Sequence, residues 1–350
     1  MNHSEKAQLR PAAIAGGKFG SVKLTLGVIL TVIAAFCALF LGRYGLTPLD
    51  TLRILLSQVT GTADAWPAMT YNVIFRVRLP RVLADILVGG GLTLSGATYQ
   101  GIFKNPLVSP DLLGISAGAC VGAATAILMG LGSTGIQIYA LAGGLLAVFL
   151  SMAIPRLLKN DSTLMLVLSG VIVSGLMNAI IGILKYVADV DTQLPEIIYW
   201  QMGSLANVSP EKVLSVFPAM LASVVVLFLM RWRVNIMSLG DTEAAALGVN
   251  IKVTRGVLIL ASTLLTGCAV CISGIVGWVG LIIPHLTRLI IGQDNVRLMP
   301  LSFFVGAIFM LFIDTMARII IAAEIPLSIL TGVIGAPLFF WLLMKTRTRL

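Results

Sequence analysis

Charge is what this sequence has least of. Of its 350 residues 11% are charged and 58% are hydrophobic, whereas soluble domains carry about 25% charged residues. A chain this long with so little charge cannot cover a water-facing surface, and it reads as a multi-span membrane protein. Short alternating strand signals are also missing, so the spans are helices. Histidine is nearly absent, with two in the chain. His285, after Pro284, is too solitary for a metal site, because ligands come in clusters; a hydrogen-bonding role at a helix end is expected. The four cysteines, Cys37, Cys120, Cys268 and Cys271, all sit in apolar runs. Cys268-x-x-Cys271 has redox or zinc spacing, but no His or Cys flanks it, so it reads as a pair of small buried side chains. The phosphate-cradling pattern G-x-x-x-x-G-K-[ST] is missing too; "GGKFGS" at Gly16 has the wrong spacing. The chain does not hydrolyse ATP, and it is expected to bind no cofactor.

Two other classes are disfavoured by absences. A membrane-embedded hydrolase or transferase needs paired Asp, Ser/His or a His-Glu-His cluster within the spans. An ion-coupled secondary transporter needs unpaired intramembrane carboxylates. Here Asp85 and Asp314 each have an arginine four residues away, Arg81 and Arg318.

What is plentiful is glycine, 35 residues, which lets membrane helices approach closely and points to a tight bundle. The first 20 residues are polar and weakly basic without a cleavage site, and read as a cytoplasmic tail before a single membrane domain over 21–350. The formal net charge of +9 is explained by basic residues holding cytoplasmic loops rather than by nucleic acid. Since about 20 apolar residues cross a bilayer, ten spans are expected, at roughly 22–41, 82–103, 110–130, 135–155, 163–185, 211–230, 254–274, 277–292, 299–321 and 326–344. Placing the N-terminus inside puts Lys and Arg on the inner side by about two to one, as the positive-inside rule requires. The fold expected is therefore an all-α integral membrane protein, N-in and C-in. The outer exceptions cluster between Arg43 and Arg81, with Arg53 and Arg76 among them. A spacing echo, Gly96 to Pro106 and Gly274 to Pro284, hints at repeated halves.

One polar stretch interrupts the inner side: "SLGDTEAAALGVNIKVTR", Ser238 to Arg255. Ser238-x-x-Asp241 has capping-box spacing. Asp241 and Glu243 suit a first helical turn, and Gly248 suits its end. A short helix, a turn and a second short helix are expected over about 238–253. Ala245, Leu247 and Val249 would form an apolar knob with a polar rim, suited to a groove in a soluble partner. An ordinary helical linker would read the same way.

The insert "SLGDTEAAALGV" resembles the coupling-helix motif of FecCD-type permease subunits, the membrane components of ABC importers for iron chelates, haem and cobalamin. Arg78 to Ala119, "RLPRVLADILVGGGLTLSGATYQGIFKNPLVSPDLLGISAGA", resembles the family signature over the second and third spans. "SGIVGWVGLIIPHLTRLIIG", from Ser273, resembles that of the eighth, and "DTMARII" and "PLSILTGVIGAPLFFWLL" resemble the last two. The resemblance covers the chain from about residue 20. It implies a ten-span subunit with paired halves (spans 2–5 and 7–10) and a permease dimer, with the same or a paralogous chain as second subunit. It implies two separate ATPase subunits that use ATP and Mg, a periplasmic or lipid-anchored binding protein, and a bacterial inner-membrane location. Asp241, Glu243, Ala245, Leu247, Gly248 and Val249 then contact the ATPase. Arg78, Arg81 and Arg318 face carboxylates of the binding protein, although interfacial anchoring is an alternative. Ser162 and Thr163 form a cytoplasmic gate, with Leu164 where a second small polar residue is expected. Trp200, Gln201 and Met202 line an outer cavity, although Trp200 also suits an interfacial belt. The implied cargo is a ferric siderophore first, then haem, cobalamin, molybdate or tungstate.

Overall fold

The computed structural model describes residues 11–61, 66–160 and 162–347. Among these there is no strand. The helices are α1 Pro11–Phe40, α2 Pro48–Thr60, α3 Ala68–Asn72, α4 Leu79–Ile102, α5 Ile115–Leu128, α6 Ser133–Leu157, α7 Thr163–Val187, α8 Gln193–Met202, α9 Pro210–Leu239, α10 Asp241–Ala246, α11 Ile251–Ser273, α12 Val279–Ile291, α13 Asn295–Ile320 and α14 Leu327–Arg347. A π-helical turn, Val73–Arg78, joins α3 to α4 without a break. Residues 1–10, half of the expected tail, lie outside the described residues.

Among the described residues eight helices are long and apolar enough to cross a membrane: α1, α3 with α4, α6, α7, α9, α11, α13 and α14. The expected third and eighth spans are shorter than the sequence suggests. They are α5, with 14 residues, and α12, with 13. At 1.5 Å per residue each measures roughly 20 Å, short of the ~30 Å hydrocarbon layer. The missing length is unwound chain, 103–114 before α5 and 274–278 before α12. The breaks have local causes. Gly114 is left-handed at φ 79° after a 3-10 turn that opens on Pro110, and Gly274 (φ 67°) and Trp278 (φ 69°) are left-handed too. Irregular backbone survives at membrane depth only where protein or a cavity covers it. The order long, short, long, long is shared by α4 to α7 and α11 to α14, as expected of paired halves. The Gly–Pro echo does not mark equivalent sites, however. Gly96 lies inside α4, whereas Gly274 caps the end of α11; Pro106 is in a loop, whereas Pro284 is inside α12.

The centre of the bundle is α4, buried along nearly its whole length between α9, α11, α12 and α13. Its small residues permit this. A Cβ built on Gly96 would fall 1.8 Å from the carbonyl oxygen of Gly280 on α12, so the two backbones touch, as small-residue membrane interfaces allow. Polar groups in the same interior bond to nearby carbonyls: Thr93 Oγ1 donates to Ser302 O at 2.8 Å, and Ser95 Oγ to Ser262 O at 3.0 Å.

Candidate functional site

The polar insert emerges from α9 at one end of the bundle. The capping box is not made. Ser238 is absorbed into the last turn of α9, where its hydroxyl donates to Asn235 O at 2.6 Å. Gly240 precedes α10 with no side-chain cap. The turn ends as expected, on Gly248 at φ 79°, with Gly248 N donating to Ala245 O at 2.9 Å and Val249 N to Ala244 O at 3.0 Å. The second short helix is not separate. Asn250 caps Val253 N at 3.2 Å and opens α11 itself, which runs on through the bundle. The insert is thus one six-residue helix strapped between two spans.

Its attachment is electrostatic. Arg255 Nη2 donates to both carboxylate oxygens of Asp241 at 2.9 Å, and Lys104 Nζ lies 3.9 Å from the same group. Arg255 and Lys104 were not singled out from sequence; a basic residue 14 positions on is beyond any local helix rule. The Glu243 carboxylate folds back over Gly240, where a Cβ would meet it at 1.8 Å. Ala244 is buried beneath the helix, while Ala245 and Leu247 point outward and Val249 is half-buried; Leu247 is 61% exposed. Of the apolar knob expected from the sequence, Ala245 and Leu247 are exposed, on a helix tied by Asp241 to Arg255.

At the opposite end the arginines turn inward. Arg78, Arg81 and Arg318 are 4%, 4% and 8% exposed. Arg78 donates to Leu39 O, Phe40 O and Tyr44 O at 2.8, 3.1 and 2.6 Å, closing the end of α1. The expected Arg81–Asp85 pair is not formed. Arg81 instead forks across the bundle to Asp314 at 2.8 Å and to Glu324 at 2.7 Å. The Asp314–Arg318 pair does form, at 3.1 Å. Arg43 joins this layer, donating to Arg318 O at 3.1 Å and Ala322 O at 2.6 Å, and also to Ile321 O. The physical reason is cost. A guanidinium near the membrane is more stable when its donors are used internally. In the subunit alone these groups are therefore not presented as free charges. Glu324 and Arg43 were missed because their partners are distant in sequence.

Ser162 caps α7, accepting from Met165 N at 3.2 Å. Thr163 follows half-buried, and Leu164 is 77% exposed. Both lie at the α10 end. At the other end α8 borders a cavity of about 400 Å³ with Glu196, Trp200, Asn207, Lys212 and Ser273 on its walls. Trp200 lines it; Gln201 and Met202 do not. His285 is not the hydrogen-bonded helix-end residue expected. Neither ring nitrogen bonds a described residue, and the ring meets Phe339 edge-on at 6.5 Å. Cys268 and Cys271 are buried free thiols.

The described residues form an all-helical bundle of membrane-span length with an exposed, ion-paired helix at one end, and the sequence has no phosphate-binding loop. Comparison gives the family. The model of the FecCD transport family matches residues 30–345, and the chain belongs to that family. The chain is similar to the molybdate import system permease protein MolB of Haemophilus influenzae, 41% identical over 93% of this chain and 96% of the relative. The hemin transport system permease protein HmuU of Yersinia pestis is 36% identical, with the same shares covered. A solved metal-chelate type ABC transporter in an inward-facing conformation superposes with a TM-score of 0.83 at 41% identity, covering 92% of this chain and 98% of that one. The chain is thus a non-catalytic permease subunit of the ABC class, and ATP hydrolysis is carried out by separate ATPase subunits.

Proposed function

We propose that this chain is one half of the membrane pathway of a bacterial importer that passes a metal-containing cargo from a binding protein to the cytoplasm. In this reading the α10 end is cytoplasmic, both termini are inside, and ten helices cross or enter the bilayer. A second permease subunit completes the pathway in the inner membrane, and two ATPases that use ATP and Mg bind α10. The observation that carries the reading is α10 itself: an exposed apolar knob, ion-paired to α11, on a subunit that needs an external energy source. Chelated iron, as a ferric siderophore, is the first cargo, with haem and cobalamin as relatives of the same chemistry. Molybdate or tungstate is a second reading, supported by the relative named for molybdate import. Uptake into proteoliposomes carrying the whole complex tests both. Labelled ferric siderophore is expected to accumulate with ATP; accumulation of labelled molybdate instead would transfer the assignment.

Thr163 is proposed to meet its counterpart at the cytoplasmic gate. Thr163→Trp is expected to abolish import while the complex still assembles. Thr163→Cys is expected to cross-link across the subunit pair at rest, and less when the inner side opens. Absence of cross-linking in every nucleotide state would remove Thr163 from the axis.

Arg78, Arg81 and Arg318 are proposed to serve docking from within the buried layer, lending positive potential to the outer face. Reversing such a charge would damage the subunit as well as the interface, so the informative change is Arg318→Gln, which removes the charge but keeps a hydrogen-bonding side chain beside Asp314. Binding-protein affinity is expected to fall roughly tenfold with a larger loss at low salt, measured on the intact dimer. Unchanged affinity at low salt would leave these residues a purely internal role.

A further inference from the structure

None of the roles above uses α2, the 13-residue helix at the end away from α10. Its amphipathicity is inverted. Thr51, Ile54 and Ser57 are buried against the bundle, and Gln58 Nε2 donates to Tyr71 Oη on α3. The opposite face carries Leu49, Leu52 and Leu56, which are 55%, 45% and 52% exposed, with exposed Arg53 among them. The spacing i, i+3, i+4 and i+7 puts these four on one side of the helix. A row of open leucines on a helix whose hydroxyls and carboxamide turn inward marks a surface with a partner. Two ties fix the depth of α2. Arg78 Nη2 donates to Tyr44 O at 2.6 Å, just before α2 begins. Near its far end, Gln58 reaches Tyr71, seven residues before Arg78 on the unbroken helix of α3 and α4 and so roughly 10 Å further out.

We propose that this face of α2 rests in the surface of the bilayer, its leucines among the ester and upper acyl groups and Arg53 at the lipid phosphates. Two observations select lipid as the occupant. The first is continuity. α2 packs on α1, the least buried of the eight long helices at 22%, whose open side carries Ile29, Val32 and Ile33. That side of a membrane-crossing helix meets acyl chains, and α2 follows it at the point where the span ends. The second is depth. The headgroup zone is roughly 5–8 Å thick on each side of the hydrocarbon, and a helix lying in it buries its apolar face by about 5–10 Å. The ties to Tyr44 and Tyr71 hold α2 in a band of that size. Arg53 suits the position, because its stem lies on apolar surface while its guanidinium reaches a phosphate. The inference is independent of the cargo and of the ATPase, so its failure would leave the importer reading untouched.

The test uses the full chain in phosphatidylcholine nanodiscs, with a bimane label on Leu52→Cys. The unsubstituted chain, which has free cysteines of its own, is the blank. Leu52 is exposed, so the label displaces no packed group. A second label on Asp191→Cys, in the exposed turn before α8, reports a water-facing position at the same end. Lipid carrying a doxyl group just below the headgroup is expected to quench the Leu52 label at least roughly twofold more than the Asp191 label, and aqueous iodide is expected to do the reverse. Equal lipid quenching at the two positions overturns the proposal. So does a Leu52 label that neither quencher reaches, which would place a second copy or a partner protein on the face. Adding Leu49→Asp and Leu56→Asp is expected to bring lipid quenching at Leu52 down to the Asp191 level, because carboxylates leave the acyl boundary for water. Quenching that persists in that variant would show proximity without anchoring, and would also overturn it.

Discussion

Asp314→Ala is expected to destabilise the subunit by about 3–5 kcal/mol, the loss that follows when one partner of a buried ion pair is removed. Asp314 is fully buried and holds two arginines, Arg81 at 2.8 Å and Arg318 at 3.1 Å. Without the carboxylate, Arg81 keeps Glu324. Arg318 keeps only neutral acceptors, Ala38 O at 3.3 Å and Thr315 Oγ1 at 3.2 Å. The measurement is thermal or denaturant unfolding in detergent, and the yield of folded protein should fall with it. Glu324→Gln is expected to cost less, since that side chain is 25% exposed and serves one arginine. An Asp314→Ala protein that unfolds at the wild-type midpoint would show that this layer carries no net stability.

The second large effect is on energy transfer. Replacing Leu247 and Gly248 together by Asp is expected to reduce import to background while the protein stays folded and inserted. The knob is small, so its contribution comes from apolar contact in a partner groove, and burying carboxylates there without partners costs several kcal/mol each. The subunit itself should tolerate the change. Leu247 is exposed, and no heavy atom lies within 4 Å of a Cβ at Gly248. Asp is also among the residues that tolerate a left-handed position such as Gly248. Two readouts separate the possibilities: co-purification of the ATPase, and ATP turnover stimulated by cargo. Normal import with normal ATP use would remove α10 from the coupling role.

Most of the architecture was legible in the sequence because hydropathy and length are local properties. Eight long spans, the insert between α9 and α11 and the helix stop at Gly248 could all be read from neighbouring residues. The two short helices could not. The unwound segment Ile275–Trp278 is as apolar as a span, so hydropathy runs straight through it, and only Gly114, Pro110 and Gly274 mark the breaks. The ionic layer was misread for a related reason. Local spacing gave Arg81 to Asp85, whereas the bundle gives Arg81 to Asp314, 233 residues away. The false capping box at Ser238 has the opposite origin. The local signal was present, but α9 continued through it.

That separation of 233 residues also sets a clock. At synthesis rates of about 5–20 residues per second, roughly ten to fifty seconds pass between the emergence of Arg81 and that of Asp314. Throughout that interval the flank of α4 at Gly89 and Gly90 lacks α13, the helix that will cover it, and Arg81 lacks Asp314. The newborn chain is therefore at its most vulnerable while more than half made, and chains that terminate before α13 should be natural prey for membrane quality-control proteases.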